Sequence, residues 1–328
     1  MKAREQTADR GSKKEGRTTM KDREAMKKQT IGVEVEMYGI EREKAAQVAA
    51  TFFGTRYEYT GGCYYTWSAW DEDGREWKFQ RDTSIQARRD SEKCEMVTPV
   101  LTYGDIEKLQ ELLRQLRHAR AKSDPDHMCG VHIHIGADGH TAKTLRNLAN
   151  IMASHESLLA DALQLDHNRI NTYCKMVDPR FLQKVNEKKP KTMSQLADIW
   201  YTTQDADSGR NAHYNYSRYH MLNLHATFTK GTIEFRLFQF ETPTNHRRSG
   251  IHAGRLKSYI QLCLALSQMA KEVRTASPKP QQNENPKYAM RTWLLRLGFI
   301  GDEYATAREI LTKNLAGNTA FRNGRPAA

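Results

Sequence analysis

Gly130-Val131-His132-Ile133-His134-Ile135-Gly136 alternates polar and apolar side chains with the period of a β-strand. Extended, it puts His132 and His134 on one face and Val131, Ile133 and Ile135 on the other. Two other stretches repeat the design. In Ile31-Gly32-Val33-Glu34-Val35-Glu36-Met37, Glu34 and Glu36 oppose Val33, Val35 and Met37. In Thr232-Ile233-Glu234-Phe235-Arg236-Leu237-Phe238, Glu234 and Arg236 oppose Ile233, Phe235 and Leu237. An ordinary half-buried strand pairs an apolar face with a bland polar one. Here the polar face carries carboxylate, imidazole and guanidinium, which are costly to bury unless paired or metal-bound. The three stretches therefore read as one sheet that rests on helices by one face and lines an ion-binding site with the other.

Outward from these strands, residues 1–29 are polar, rich in Lys and Arg and without apolar periodicity, the composition of a disordered basic arm. The folded domain is expected over residues 30–276. Ala45, Val48, Ala49 and Phe52 follow helical spacing toward Gly54. An aromatic hairpin follows, residues 63–70 returning through Asp73-Gly74 into residues 76–79. Another strand, at residues 93–100, is stopped by Pro99. Asp105 is placed to cap a helix carrying Ile106, Leu109, Leu112, Leu113 and Leu116, and Thr141 opens a longer one through Leu145 to Leu159. His155 on that helix has the spacing of a packing residue.

Residues 166–210 turn polar and read as a helical insertion over one end of the sheet, where they would shape a substrate pocket. A hairpin is expected from residues 218–225 and 232–240 across Lys230-Gly231, then a long helix through Leu256 and Leu264. Residues 277–290 have the Pro/Gln/Asn composition of a linker, and residues 291–328 that of packing helices and a tail. Hairpins and long helices around five or six strands predict an α+β fold with a mainly antiparallel sheet.

Size and composition bound the function. The 328-residue chain is 38% hydrophobic and 27% charged, with a formal net charge of +12. That charge favours anionic partners, among them nucleotides, acidic substrates and nucleic acid. Nucleic-acid contact is open to the basic arm, but a solvated tail is the preferred reading. The five cysteines are scattered and never in a Cys-x-x-Cys pair, which fits a reducing compartment and a cytoplasmic location. No apolar run approaches the roughly 20 residues of a membrane span, so no membrane role is expected. Oligomeric state leaves no trace.

The polar residues of the strands have a chemistry in common. Mg²⁺ and Mn²⁺ prefer carboxylate oxygens and bridge to phosphates, and imidazole also suits Mn²⁺. Glu34, Glu36, Glu95, Glu234 and one histidine would supply ligands for two such ions. Arg236 cannot bind metal but can hold a phosphate oxygen pair through its planar fork. The set points to metal-assisted phosphoryl transfer, which needs positioning and charge neutralisation rather than a nucleophilic side chain. Neither a Gly-x-Ser-x-Gly stretch nor a Gly-rich Walker loop is present.

In order along the chain, Gly32-Val33-Glu34-Val35-Glu36, Asp82-Thr83-Ser84-Ile85, Cys94-Glu95-Met96-Val97-Thr98-Pro99, the Gly-x-His-x-His strand, and Leu222-Asn223-Leu224 followed by Thr232-Ile233-Glu234-Phe235-Arg236 resemble the amidoligases. These are members of the carboxylate–amine ligase superfamily that includes glutamine synthetase and γ-glutamylcysteine synthetase. The resemblance implies a curved antiparallel sheet with helices on its outer face, as in the glutamine synthetase catalytic domain, and a concave face that binds ATP and two divalent ions, Mg²⁺ or Mn²⁺. It further implies that ATP phosphorylates a substrate carboxylate and that an amine then displaces phosphate to give an amide or isopeptide bond. Carried over residue by residue, Glu36 and Glu95 resemble ligands of the substrate-side metal, and Glu34, His132 and Glu234 those of the metal at the ATP phosphates. His134 and Arg236 would contact the phosphates, with Arg218 a looser candidate. Asp82 and Asn223 match positions near the acceptor site. One departure stands out: the family has Asp-Gly-Ser where this chain has Asp82-Thr83-Ser84, and Thr resists positive φ.

Two rival readings use the same residues differently. One is a metal-dependent phosphotransferase or hydrolase without an amine acceptor, the other a ligase that binds nucleotide without turnover. A third, a basic nucleic-acid-binding protein with a purely structural sheet, predicts steeply salt-dependent binding that ignores Glu36→Gln. Peptides and small molecules both qualify as carboxylate and amine substrates.

Overall fold

The alternation at residues 31–37 becomes β1 (Ile31–Met37), an interior strand of an open eight-stranded sheet. The computed structural model describes residues 20–203, 209–212, 214–245, 249–280 and 284–320. Before β1 lies α1 (Met20–Lys27), and after it come α2 (Arg42–Phe53), β2 (Tyr57–Gly61), β3 (Thr66–Trp70), β4 (Glu76–Gln80) and β5 (Cys94–Val97). Then follow α3 (Ile106–His118), β6 (Val131–Gly136), α4 (Ala142–Leu163), α5 (His167–Thr172), α6 (Pro179–Lys188) and α7 (Met193–Thr203). The chain returns through β7 (Leu222–Asn223), α8 (His225–Lys230) and β8 (Thr232–Phe238), then closes with α9 (Ala253–Glu272), α10 (Pro286–Arg296) and α11 (Ala305–Thr312). Strand order is β2-β3-β4-β5-β1-β6-β8-β7, and each neighbouring pair is antiparallel.

One face of the sheet is apolar from β4 through β8. Val33, Val35, Trp77, Phe79, Met96, Ile133, Ile135, Ile233 and Phe235 are all buried in a single core. Each such side chain contributes roughly 1.5–3 kcal/mol when removed from water. The helix α9 is buried on nearly every side because α1, α3, α4 and α11 all pack around it. Thr141 opens α4 as expected, in a capping box with Thr144, and the His155 ring stacks on Trp293 at 3.9 Å, the packing role its spacing indicated. The five cysteines are unpaired thiols, four of them buried. Among the described residues no helix is long and apolar enough to cross a membrane.

Four expectations change. Residues 20–27, read as part of a disordered arm, form α1, whose Met26 is buried and whose Lys27 Nζ lies 3.0 Å from Glu303 Oε2; residues 1–19 fall outside the described part of the chain. The expected strand at residues 218–225 shrinks to β7, because Asn223 Oδ1 accepts the His225 N–H at 2.9 Å and turns the chain into α8. Residues 286–290, assigned to the linker, belong to α10, which Asn285 caps. Asp105 holds the expected N-cap position of α3, but its side chain makes no capping bond there; it reaches back to the Thr102 N–H at 2.8 Å, in a capping box on the short 3-10 turn Tyr103–Asp105.

Candidate active site

Register decides which polar side chains meet. Glu36 lies opposite Glu95, Glu34 opposite His132, His134 opposite Glu234, and Glu234 opposite Asn223. Side chains two apart on a strand share a face, so the polar residues of four interior strands form one continuous patch opposite the core. Gly32 lies opposite His134, and a Cβ there would come within 3.3 Å of the His134 Cβ, so the imidazole occupies space that a larger residue would contest.

At the centre is His132, whose Nδ1 is 2.9 Å from Glu34 Oε2 and 3.8 Å from Glu234 Oε1. Its Nε2 is 3.8 Å from Glu36 Oε1. His134 Nε2 lies 3.3 Å from Glu34 Oε1, and its Nδ1 is 3.0 Å from Thr232 Oγ1. Arg236 Nη1 donates to Glu234 Oε1 at 2.5 Å, while Asn223 Nδ2 donates to Glu234 Oε2 at 2.6 Å. Gln80 Nε2 donates to Glu95 Oε2 at 2.8 Å, and the Gly130 N–H donates to Glu36 Oε2. All of these acids and bases except Glu34 are buried.

The charges do not balance evenly. Burial would raise Glu34, but the charge of His134 and the hydrogen bonds of His132 and His134 hold its carboxyl well below the ordinary range. Glu234 is also held low, burial being outweighed by Arg236 and His134. Glu95 goes the other way: burial, with the charges of Glu34, Asp82 and Glu36 added, pushes it well above the usual carboxylate value. A cation at that corner would relieve the repulsion.

Asp82 sits in a turn in which its Oδ1 accepts from the Ser84 N–H at 2.7 Å and from Ser84 Oγ at 2.6 Å. The side chain closes the turn, and Thr83 is not among the residues with positive φ. The departure from Asp-Gly-Ser therefore brings no strain of that kind. Arg218 lies at the opposite end of the patch. It lines a 220 Å³ cleft with Asn223, Glu234, His225 and Lys230, and its guanidinium lies over the rings of Tyr214 and Tyr219.

The model of the family described as "putative amidoligase enzyme" matches residues 27–267, from the end of α1 through most of α9. This chain belongs to that family. No match was found among curated proteins.

For an amidoligase the donor set is informative. Two groups offer ligand atoms that all lie within 4.8 Å of one another: Glu34, His132 and Glu234, and Glu36, Glu95 and His132. Carboxylates with imidazole suit Mg²⁺ or Mn²⁺. Arg236 Nε is buried without a hydrogen-bond partner, a polar atom that a bound ligand would satisfy.

The sequence reading of this amidoligase missed Arg169. It is buried on α5 and donates from Nη2 to the Arg236 carbonyl at 3.0 Å. Its guanidinium also fills the space above Gly130, where a Cβ would lie only 2.0 Å from Nη2. The pairing of β6 with β8 shifts register between Val131 and Ile133, beside this wedge. The only sequence signal was Gly130 itself, a glycine at the entry of a buried strand.

Proposed function

We propose that the chain is an ATP-dependent carboxylate–amine ligase that forms an amide or isopeptide bond with the help of two divalent cations. One observation carries the reading: two groups of donor atoms share His132 beside a buried Arg236, in a chain of the amidoligase family. The family resemblance adds the expectation that the sheet is curved like that of the glutamine synthetase catalytic domain.

In this reading Mg²⁺ or Mn²⁺, held by Glu36 and Glu95 and by Glu34, His132 and Glu234, supplies charge neutralisation at the phosphates. Arg236 and His134 hold the phosphate oxygens, and Arg218 assists from the cleft wall. A substrate carboxylate oxygen attacks the γ-phosphorus of ATP, and the bond to the ADP oxygen breaks. The product is an acyl phosphate and ADP. The amine nitrogen then attacks the acyl carbon, the carbon–oxygen bond to phosphate breaks, and inorganic phosphate leaves. Asp82, near Glu95, attracts the amine in its ammonium form and takes its proton. Asn223, the other residue carried over near the acceptor site, holds the Glu234 carboxylate in place. No protein nucleophile is needed, because positioning and electrostatics supply the acceleration.

The test is a mass-spectrometric screen of carboxylate and amine pairs with ATP and Mg²⁺ or Mn²⁺. The ligase reading predicts amide, ADP and phosphate in equal amounts, lost in Glu36→Gln. Phosphate released without amide from any pair, or a stable phosphorylated product, would replace it with a hydrolase or phosphotransferase.

A further inference from the structure

The polar face does not end at Glu36. Tyr38 lies one strand repeat further on, about 7 Å along the same face, and there, past the end of β1, a cleft of 1010 Å³ opens. Its walls come from three places: the loop that follows the Asp82 turn, the exit of α3, and the approach to β6. The Gln86 N–H donates to the His127 carbonyl at 2.9 Å, and Tyr38 and Lys122 exchange backbone hydrogen bonds of 2.8 and 2.9 Å. The floor is fixed as well. The Tyr38 ring stacks on His127 at 3.7 Å, and Asp124 holds both, at 2.6 Å from the Tyr38 hydroxyl and 2.9 Å from His127 Nδ1.

The lining is cationic. Arg88, Arg117, Arg120 and Lys122 face Glu92, the one carboxylate among the described lining residues, and Glu92 already pairs with Arg89 at 2.7 Å. Arg120 adds a second, independent observation. It leaves α3 with φ of 81°, while the Ala121 N–H closes back on the Leu116 carbonyl at 3.0 Å. That is the left-handed exit position at which glycine is the usual occupant. An exposed arginine in this backbone is strained, and strain retained at a cleft points to use of the side chain.

We propose that this cleft binds a carboxylate-rich peptide and presents one of its carboxylates to the corner formed by Glu36, Glu95 and Asp82. The proposal rests on the ligase reading and names its acid substrate. Guanidinium groups pair with carboxylates through two parallel hydrogen bonds, so Arg88 and Arg120 would select Asp and Glu side chains flanking the reacting one. Nucleic acid fits less well. Base binding needs open aromatic platforms, and the one tyrosine among the described lining residues is already stacked and tethered.

The experiment is fluorescence anisotropy of fluorescein-labelled hexaglutamate with the full chain, without nucleotide and at low salt. A single-stranded oligonucleotide of equal charge serves as competitor. Arg88→Ala and Arg120→Gly should each weaken binding roughly three- to five-fold, and the pair roughly ten-fold or more. Arg120→Gly relieves the backbone, so its thermal midpoint should not fall; Arg120→Asn, which also tolerates this conformation, should repeat the loss of affinity. Binding is measured without nucleotide, so it is read separately from turnover. Equal affinity in the double variant, or displacement by the oligonucleotide at lower concentration than by unlabelled hexaglutamate, would overturn the proposal. Binding that depends on Arg120 in a chain that forms no amide would keep the cleft and reject the chemistry.

Discussion

Asn223 and Glu234 face each other across β7 and β8, with Asn223 Nδ2 2.6 Å from Glu234 Oε2. The other end of the same amide starts α8, since its Oδ1 accepts the His225 N–H at 2.9 Å. One side chain thus ties the geometry of a buried carboxylate to the turn that limits β7 to two residues. Asn223→Leu should cost about 1–3 kcal/mol, because it leaves buried groups unpaired. Asn223→Asp keeps the helix-start acceptor but sets a second carboxylate against Glu234. That variant should unfold below the parent temperature at neutral pH and also lose most metal-dependent ATP binding. Thermal unfolding beside a binding titration checks both.

Arg236 is buried, with Nη1 2.5 Å from Glu234 Oε1. A lysine there keeps the charge but not the planar fork. Arg236→Lys should lower turnover by about 10²-fold, the loss typical of removing one preorganised donor, while ATP affinity changes less. Comparison of kcat with KM for ATP separates these. Equal activity would remove Arg236 from the phosphate site.

Gly130 has no room for a side chain. A Cβ would displace the buried Arg169 guanidinium and break its hydrogen bond to the Arg236 carbonyl. Gly130→Ala should cost about 1–3 kcal/mol. The penalty should shrink in an Arg169→Ala background, where the space is empty. A double-mutant cycle by urea unfolding measures this coupling, and additive effects would contradict it.

The three strands with acids and bases on one face and aliphatic residues on the other were legible because two-residue alternation is unambiguous when both faces are distinctive. β2 was not. Residues 58–60 are exposed, so hydrophobic alternation had nothing to report. α1 was hidden for a related reason: it docks through Met26, Lys27 and the adjoining Gln29, whose Nε2 reaches the Leu264 carbonyl at 3.0 Å. A helix held by such distant contacts carries no apolar stripe. Within the site, pairing Glu34 with His132 depended on strand register, which local sequence does not encode. Arg169 reaches the sheet from α5, and nothing near it in the chain announces the contact.

Glu156 lies buried on α4 with both carboxylate oxygens within 3.1 Å of the Val177 N–H. Burial pushes its pKa up to about 7 from an ordinary 4.5, the Val177 N–H opposing. The folded state therefore holds this proton more tightly than the unfolded chain, so the parent loses stability as pH rises between those two values. Glu156→Gln removes the titration and keeps an acceptor oxygen. Its advantage in unfolding free energy should grow between about pH 5 and about pH 8 and reach the order of a few kcal/mol. A difference that does not vary with pH would contradict the burial account.

The most direct measurement is calorimetric titration of ATP into the full chain with and without Mg²⁺ or Mn²⁺, beside His132→Ala. His132 belongs to both groups of donor atoms, so its removal strikes the whole site while the apolar face of β6 is untouched. The account predicts ATP binding that requires the metal and is lost in a variant that still folds. ATP binding that ignores the metal, or survives unchanged in His132→Ala, would contradict it.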